Sequence, residues 1–257
     1  METSEWNDAK QMGPFLLNAA VALLRSGASS DRIRINVERL AAVSQHTLQI
    51  SVSPLAIALS LTDVSGHILY NGTGTIPAQG VNFQVVSGIS HLSWDVCEGK
   101  VGETESWEKL KEILAKPHYN RWLLLLVVSI AGAAFCYTFG GNASEMMIGF
   151  FATFFGLFCK QELVKHSYNT YIITYVSAVT AGIFVGFMHL IFPQLKMEHA
   201  FSTCVLFLVP GVPLINSITD LIEGYTLNGV ARGVSAFLHA LAIASGLVTV
   251  LFLFNII

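Results

Sequence analysis

The chain has 257 residues, of which 53% are hydrophobic and 12% charged, with a formal net charge of -3. Soluble domains carry roughly 25% charged residues, so one soluble core is excluded for the whole chain, and so small a charge gives no basic surface for nucleic acid. Mean hydropathy is +0.59, and the charge is unevenly placed: residues 1–121 hold 10 of the 14 Lys and Arg and 12 of the 17 Asp and Glu. Two parts follow, a soluble α+β domain over 1–117 and a transmembrane α-helical domain over 118–257, joined in the Pro117 to Arg121 segment. Met1 to Trp6 is acidic and lacks the basic-then-apolar order of a signal peptide. Cys97, Cys136, Cys159 and Cys204 have neither C-x-x-C nor metal-ligand spacing and are expected as small hydrophobes, with no metal or other cofactor.

In chain order, Met12, Phe15, Leu16, Ala19 and Leu23 share one face of a helix over residues 8–26 that stops at Ser26-Gly27. Ser29 or Ser30, with Asp31, can cap a second helix carrying Ile33, Val37, Leu40 and Ala41. The period then changes to alternation over Thr47 to Ser53, Leu55 to Thr62 and His67 to Tyr70, with a Ser65-Gly66 hairpin turn. Val85, Val86, Ile89, Leu92 and Val96 return to helical spacing as far as Gly99. Thr104 is expected to cap a last helix through Leu114, with Glu105 and Lys109 as a supporting pair. His46, His67, His91, Ser60 and Asp63 lie within this half, but no nucleophile turn, metal spacing or phosphate loop organises them into a catalytic set.

Five later stretches are long enough to cross a bilayer about 30 Å thick: Trp122 to Phe139, Ala143 to Cys159, Tyr168 to Phe192, Phe201 to Ile218 and Val234 to Ile257. Gly140-Gly141-Asn142 reverses the chain between the first two, and Glu145 is expected to cap its own helix. Lys109, Lys111, Lys116 and Arg121 precede the first span, Lys160 and Lys165 follow the second and Arg232 precedes the fifth, with only Lys196 opposing. Positive charge marks the cytoplasmic side, so the soluble domain is expected in the cytoplasm and the C-terminus outside. Gly182-x-x-x-Gly186, and Gly149 with Gly156, permit close helix approach within one bundle. His189 and His239 are expected to be satisfied by neighbouring carbonyls rather than to relay protons.

The fourth span is unlike the others. Pro210 and Pro213 remove backbone donors and Gly211 permits a bend, so the helix is expected to break there and to present an N-terminal end suited to a carboxylate. Backbone breaks and carboxylates survive in hydrocarbon where they line a cavity, and broken helices bind solutes in many secondary transporters. Asn216 and Asp220 lie four apart on one face, Asn216 to hydrogen-bond an amino or hydroxyl group, Asp220 to pair an ammonium or carry a coupled proton. The alternative places Asp220 and Glu223 in the interface, capping a helix end or meeting Arg232. Arg232 alone reads as a topology anchor, and a zwitterion suits Asn216 with Asp220 better than a dianion does.

The run Pro210-Gly211-x-Pro213-Leu214-x-Asn216-x-x-x-Asp220-Leu221-x-x-Gly224-x-x-x-x-Gly229-x-x-Arg232, behind a domain with a Leu-Leu-x-x-Gly turn at Leu23 to Gly27, resembles the threonine/serine exporter family along essentially the whole chain. The resemblance implies five transmembrane helices behind an N-terminal α+β cytoplasmic domain, as in the larger component of a split form. Its smaller companion would supply four or five further spans, and higher oligomers remain open. It also implies proton-motive-force-driven export of a small carboxylate across the bacterial inner membrane, threonine or serine or a C4 dicarboxylate such as succinate, by a transporter and not an enzyme. Pro210, Gly211, Pro213, Asn216 and Asp220 are then the substrate-binding candidates, and Asp220, Glu223 and Arg232 the candidates for coupling or gating. A second hypothesis is a membrane-anchored enzyme or sensor acting through residues 1–121.

Overall fold

In the computed structural model of the chain the described residues are 8–76, 80–116, 119–195 and 197–255. Met1 to Trp6, Pro117, Lys196 and the end of the last span at Ile257 therefore lie outside them. The chain divides into two units, Met1–Pro117 with Val212–Val234, and His118–Gly211 with Ser235–Ile257. The segment Val212–Val234 thus packs with residues from the first half of the chain, although it lies within the stretch read as the membrane domain.

The first unit is built around α1 (Ala9–Arg25), whose Met12, Phe15, Leu16, Ala19 and Leu23 are fully buried. Against α1 lie α2 (Ser30–Ala41), α3 (Phe83–Cys97), α4 (Glu103–Ala115) and an antiparallel sheet in the order β1 (Thr47–Val52), β2 (Ala56–Thr62), β3 (Ile68–Thr75). The central strand alternates, with Ile57, Leu59 and Leu61 buried, as the period of two requires of a sheet with one covered face. Two expectations need correction. β3 runs to Thr75 rather than Tyr70, because Gly74 lets α1 approach: a Cβ there would lie 2.4 Å from Val21 Cγ2. α4 begins at Glu103 behind Gly102, which offers no side-chain cap, so Thr104 is not the capping residue. Asp63 accepts from the amides of Ser65 and His67, both at 2.8 Å. The bond from the His67 amide holds its carboxyl below the usual carboxylate range, a local loop arrangement and not a catalytic one.

The second unit contains α5 (Arg121–Thr138), α6 (Ala143–Lys165), α7 (Thr170–Ile191), the short α8 (Glu198–Thr203), a 3₁₀ turn at Leu206–Leu208, and the C-terminal part of α10 (Thr226–Leu253). α5, α6, α7 and α10 are each long and apolar enough to cross a membrane. Counting the bent pair Glu198–Leu208 and Gly211–Ile222 as one span brings the number among the described residues from four to five. Leu123, Leu126, Val127 and Ile130 on α5 are about half exposed, as expected of side chains that meet lipid rather than water. Small residues bring the helices together: a Cβ at Gly182 would lie 2.9 Å from Val250 Cγ2, and one at Gly186 2.6 Å from Phe254 Cδ2. Both glycines are therefore spent on packing within the chain.

Asn142 and Glu145 form a reciprocal capping box on α6, and Glu145 Oε1 also meets His199 Nδ1 at 3.1 Å. The expectation for the other two histidines changes. His239 Nδ1 pairs with the Thr174 hydroxyl at 2.9 Å rather than with a carbonyl, and His189 Nδ1 is buried with no partner among the described residues.

Candidate functional site

The helical path through residues 198–222 is interrupted at Val209–Pro210, where the Gly211 amide bonds back to Val209 O at 2.9 Å. Proline supplies no amide and clashes with the carbonyl one turn earlier, so the 3₁₀ turn cannot run on into α9 (Gly211–Ile222). Pro213 falls in the first turn of α9, where amides have no intrahelical partner to lose.

On α9, Ser217 and Asp220 are buried while Ile215, Ile218 and Ile222 are exposed, so one face is polar and covered and the other apolar and open. The helix ends in a turn through Gly224, at φ +85, with the Tyr225 amide reaching Asp220 O at 2.7 Å. This is the left-handed glycine stop that satisfies carbonyls at a helix end. The chain then enters α10, which begins at Thr226. Arg232 therefore lies inside that helix and does not precede it.

α9 and the start of α10 form a tight hairpin. A Cβ at Gly229 would sit 2.6 Å from Leu221 Cγ, and Ser217 Oγ donates to Gly229 O at 2.7 Å. The polar face of the hairpin meets the α1–α2 turn, which is built by a second left-handed glycine, Gly27 at φ +80. The Ala28 amide closes α1 by bonding to Leu23 O at 3.1 Å, leaving the Gly27 and Ala28 carbonyls pointing outward. Asn216 Nδ2 donates to Gly27 O at 2.7 Å, and Arg232 Nη2 donates to Ala28 O at 2.8 Å. Asp220 accepts from the Ser30 amide at 2.8 Å and the Ser30 hydroxyl at 3.1 Å. Asn228 Nδ2 reaches Ser30 Oγ at 2.7 Å and Val52 O at 2.9 Å. Ser29 caps α2 through its own hydroxyl, and the carboxylate of Asp220 adds a negative charge at that helix N-terminus, where the dipole favours it.

Asp220 is fully buried and Arg232 is 6% exposed, and Arg232 Nε stands 3.4 Å from Asp220 Oδ2. Buried charges are tolerated when paired and hydrogen-bonded. Asp220 meets that condition. Arg232 meets it in part, for neither its Nε nor its Nη1 has a hydrogen-bond partner among the described residues. The guanidinium and Asn216 line a cavity of about 80 Å³ whose remaining wall includes Gly27, Val81, Val212 and Pro213.

Of the residues singled out in the sequence, Asn216, Asp220 and Arg232 converge, Pro213 joins them at the cavity, and Glu223 stays exposed at the hairpin tip. The alternative weighed for Asp220, a helix cap that also meets Arg232, matches its observed contacts. Arg232, read from the sequence as a topology anchor, is buried and stands beside Asp220. Ser30, Ser217 and Asn228 were missed; the one available signal was the Leu23 to Gly27 turn, whose companion motif proves to be its hydrogen-bonding partner.

The family model described as "Putative threonine/serine exporter" matches residues 14–254. The chain is 31% identical over 235 residues to the "Probable succinate transporter subunit YjjP" of Klebsiella aerogenes, covering 90% of each protein. It is 29% identical over 238 residues to the protein of the same description from Escherichia coli K12, covering 91% of each. No solved structure matches it. With four or five helices able to cross a bilayer it is a multi-pass membrane protein, and it belongs to the threonine/serine exporter family, a family of transporters and not of enzymes.

Proposed function

We propose that this chain is one subunit of a secondary exporter of small carboxylates, of the threonine/serine type or a C4 dicarboxylate such as succinate, driven by the proton-motive force. A companion completes it, which the word "subunit" in the relatives' names supports; the family resemblance read from the sequence makes that companion a smaller membrane protein of four or five spans. The bent pair counts as one of five spans, the protein resides in the bacterial inner membrane, and positive charge puts the N-terminal domain in the cytoplasm and the C-terminus outside.

The observation that carries this reading is the buried Asp220–Arg232 pair directly after a helix break, in a stretch of chain with few other charges. Ionisable groups in such surroundings are costly and are kept where solute or protons use them. The break at Pro210, Gly211 and Pro213, with Asn216 and Asp220, forms the solute-binding side; Asp220, Glu223 and Arg232 couple or gate. Asp220 and Arg232 each bond to the α1–α2 turn, through Ser30 and Ala28, so coupling at this pair would act on the contact between the hairpin and that turn.

The test is reconstitution of the chain with its companion in vesicles under an imposed pH gradient, following labelled threonine, serine and succinate. Gradient-dependent movement of at least one of them is expected. Correctly inserted pairs that move none, or move them regardless of the gradient, refute the proposal.

A further inference from the structure

We infer that the Arg232 guanidinium at the cavity beside the Gly27 turn is the receptor for one carboxylate group of a small organic acid. The exporter reading enters only in identifying that acid with the transported solute.

Arginine carries five N–H donors, none of which can be switched off by deprotonation. Here Nη2 donates to Ala28 O, while Nη1, with two hydrogens, and Nε lack hydrogen-bond partners among the described residues, in a side chain only 6% exposed. Burying donors without partners is unfavourable, so a buried guanidinium left in this state calls for an acceptor. Asp220 supplies Arg232 with a counter-charge but no hydrogen bond: its Oδ2 stands 3.4 Å from Nε, which stays without a hydrogen-bond partner among the described residues, as does Nη1.

The surroundings favour an anion of one shape. Val212 and Pro213, in the first turn of the twelve-residue α9, line the same cavity, so a helix N-terminus adds its partial positive charge to that of Arg232. Asn216 Nδ2 spends one hydrogen on Gly27 O and keeps a second. A planar fork of donors matches a carboxylate, which can accept from two nitrogens at once. The cavity, about 80 Å³, holds a carboxylate head and a short aliphatic stem, which the side chains of Val81, Val212 and Pro213 would meet. The preference for a zwitterion drawn from the sequence rested on Asp220 facing the solute; the donors without hydrogen bonds belong instead to Arg232, and Asp220 faces Ser30.

The experiment uses the full chain in lipid nanodiscs and equilibrium binding of radiolabelled succinate, with acetate, succinamide and inorganic phosphate as competitors. Saturable succinate binding is expected, displaced by acetate and not by the neutral amide or by phosphate. Arg232→Lys keeps the charge but loses the fork, and Val81→Trp fills the cavity with every charged group in place; each should weaken binding by about tenfold or more. Absence of saturable binding, equal competition by phosphate or by succinamide, or wild-type binding by folded Val81→Trp protein overturns the inference. Flux through the reconstituted pair separates the two readings. Transport untouched by Val81→Trp keeps the exporter and removes this subsite, whereas Arg232-dependent binding in a pair that moves no carboxylate keeps the subsite and removes the exporter.

Discussion

Replacing Asp220 by Asn changes little in shape and removes one charge from the centre of the hairpin contact. The amide oxygen of Asn can still accept from the Ser30 amide, so the difference reports chiefly on Arg232. At the observed 3.4 Å and an effective dielectric of about 20, the attraction between the pair is about 5 kcal/mol. Breaking buried pairs by removing one partner costs about 3–5 kcal/mol, because the survivor keeps its desolvation penalty. We expect Asp220→Asn to destabilise the first unit by about 3 kcal/mol and to abolish gradient-driven efflux. Asp220→Ala, which also strands the Ser30 amide, should cost about 1–2 kcal/mol more. The assay is denaturant unfolding of the full chain in mixed micelles, arranged as a double-mutant cycle with Arg232→Met, in which the two changes should couple by more than about 1 kcal/mol. A loss under about 0.5 kcal/mol for Asp220→Asn, or strict additivity with Arg232→Met, would refute the claim that the two charges stabilise each other inside the hairpin.

Three further outcomes test the surrounding scaffold. Gly27→Ala places a side chain at φ +80 with its Cβ 2.9 Å from Gly80 O, and should lower stability by about 1–3 kcal/mol in the same unfolding assay. Gly229→Ala drives a Cβ to 2.6 Å from Leu221 Cγ and 2.9 Å from Ser217 O, a backbone that cannot yield. It should cost about 1–3 kcal/mol and raise the rate of proteolytic cleavage near Gly224. Glu145→Ala removes half of the α6 capping box and the partner of His199, a loss of about 1–2 kcal/mol measurable as a lower melting temperature of the full chain. Unchanged melting there would mean that the box contributes nothing.

Much of the architecture was legible because it depends on local composition. Residues 121–138, 143–165 and 170–191 are helices where apolar length and the Gly140-Gly141-Asn142 turn placed them, and Pro210 breaks the fourth stretch as its missing amide requires. Errors arose where a neighbour decides the outcome. The third strand, expected to end at Tyr70, continues through Thr75 because Gly74 admits Val21 of α1. The last helix, expected from Val234, starts at Thr226, and Asn228 and Arg232 in its added turns have partners at Ser30, Val52 and Ala28.

The boundary between the units escaped the sequence, since Val212–Val234 packs with the first unit; what local chemistry did determine is a mixed α+β portion, a set of apolar helices and the helix break. Each rests on hydropathy or on proline and glycine chemistry within a few residues. Only the tertiary structure decided where the polar face of α9 points. The Ser30 groups that Asp220 meets are 190 positions away along the chain, and no local period encodes a hydrogen bond over that separation. Spacing put Asn216 and Asp220 on one face, while folding supplied the turn that occupies them and left Arg232 with donors to spare.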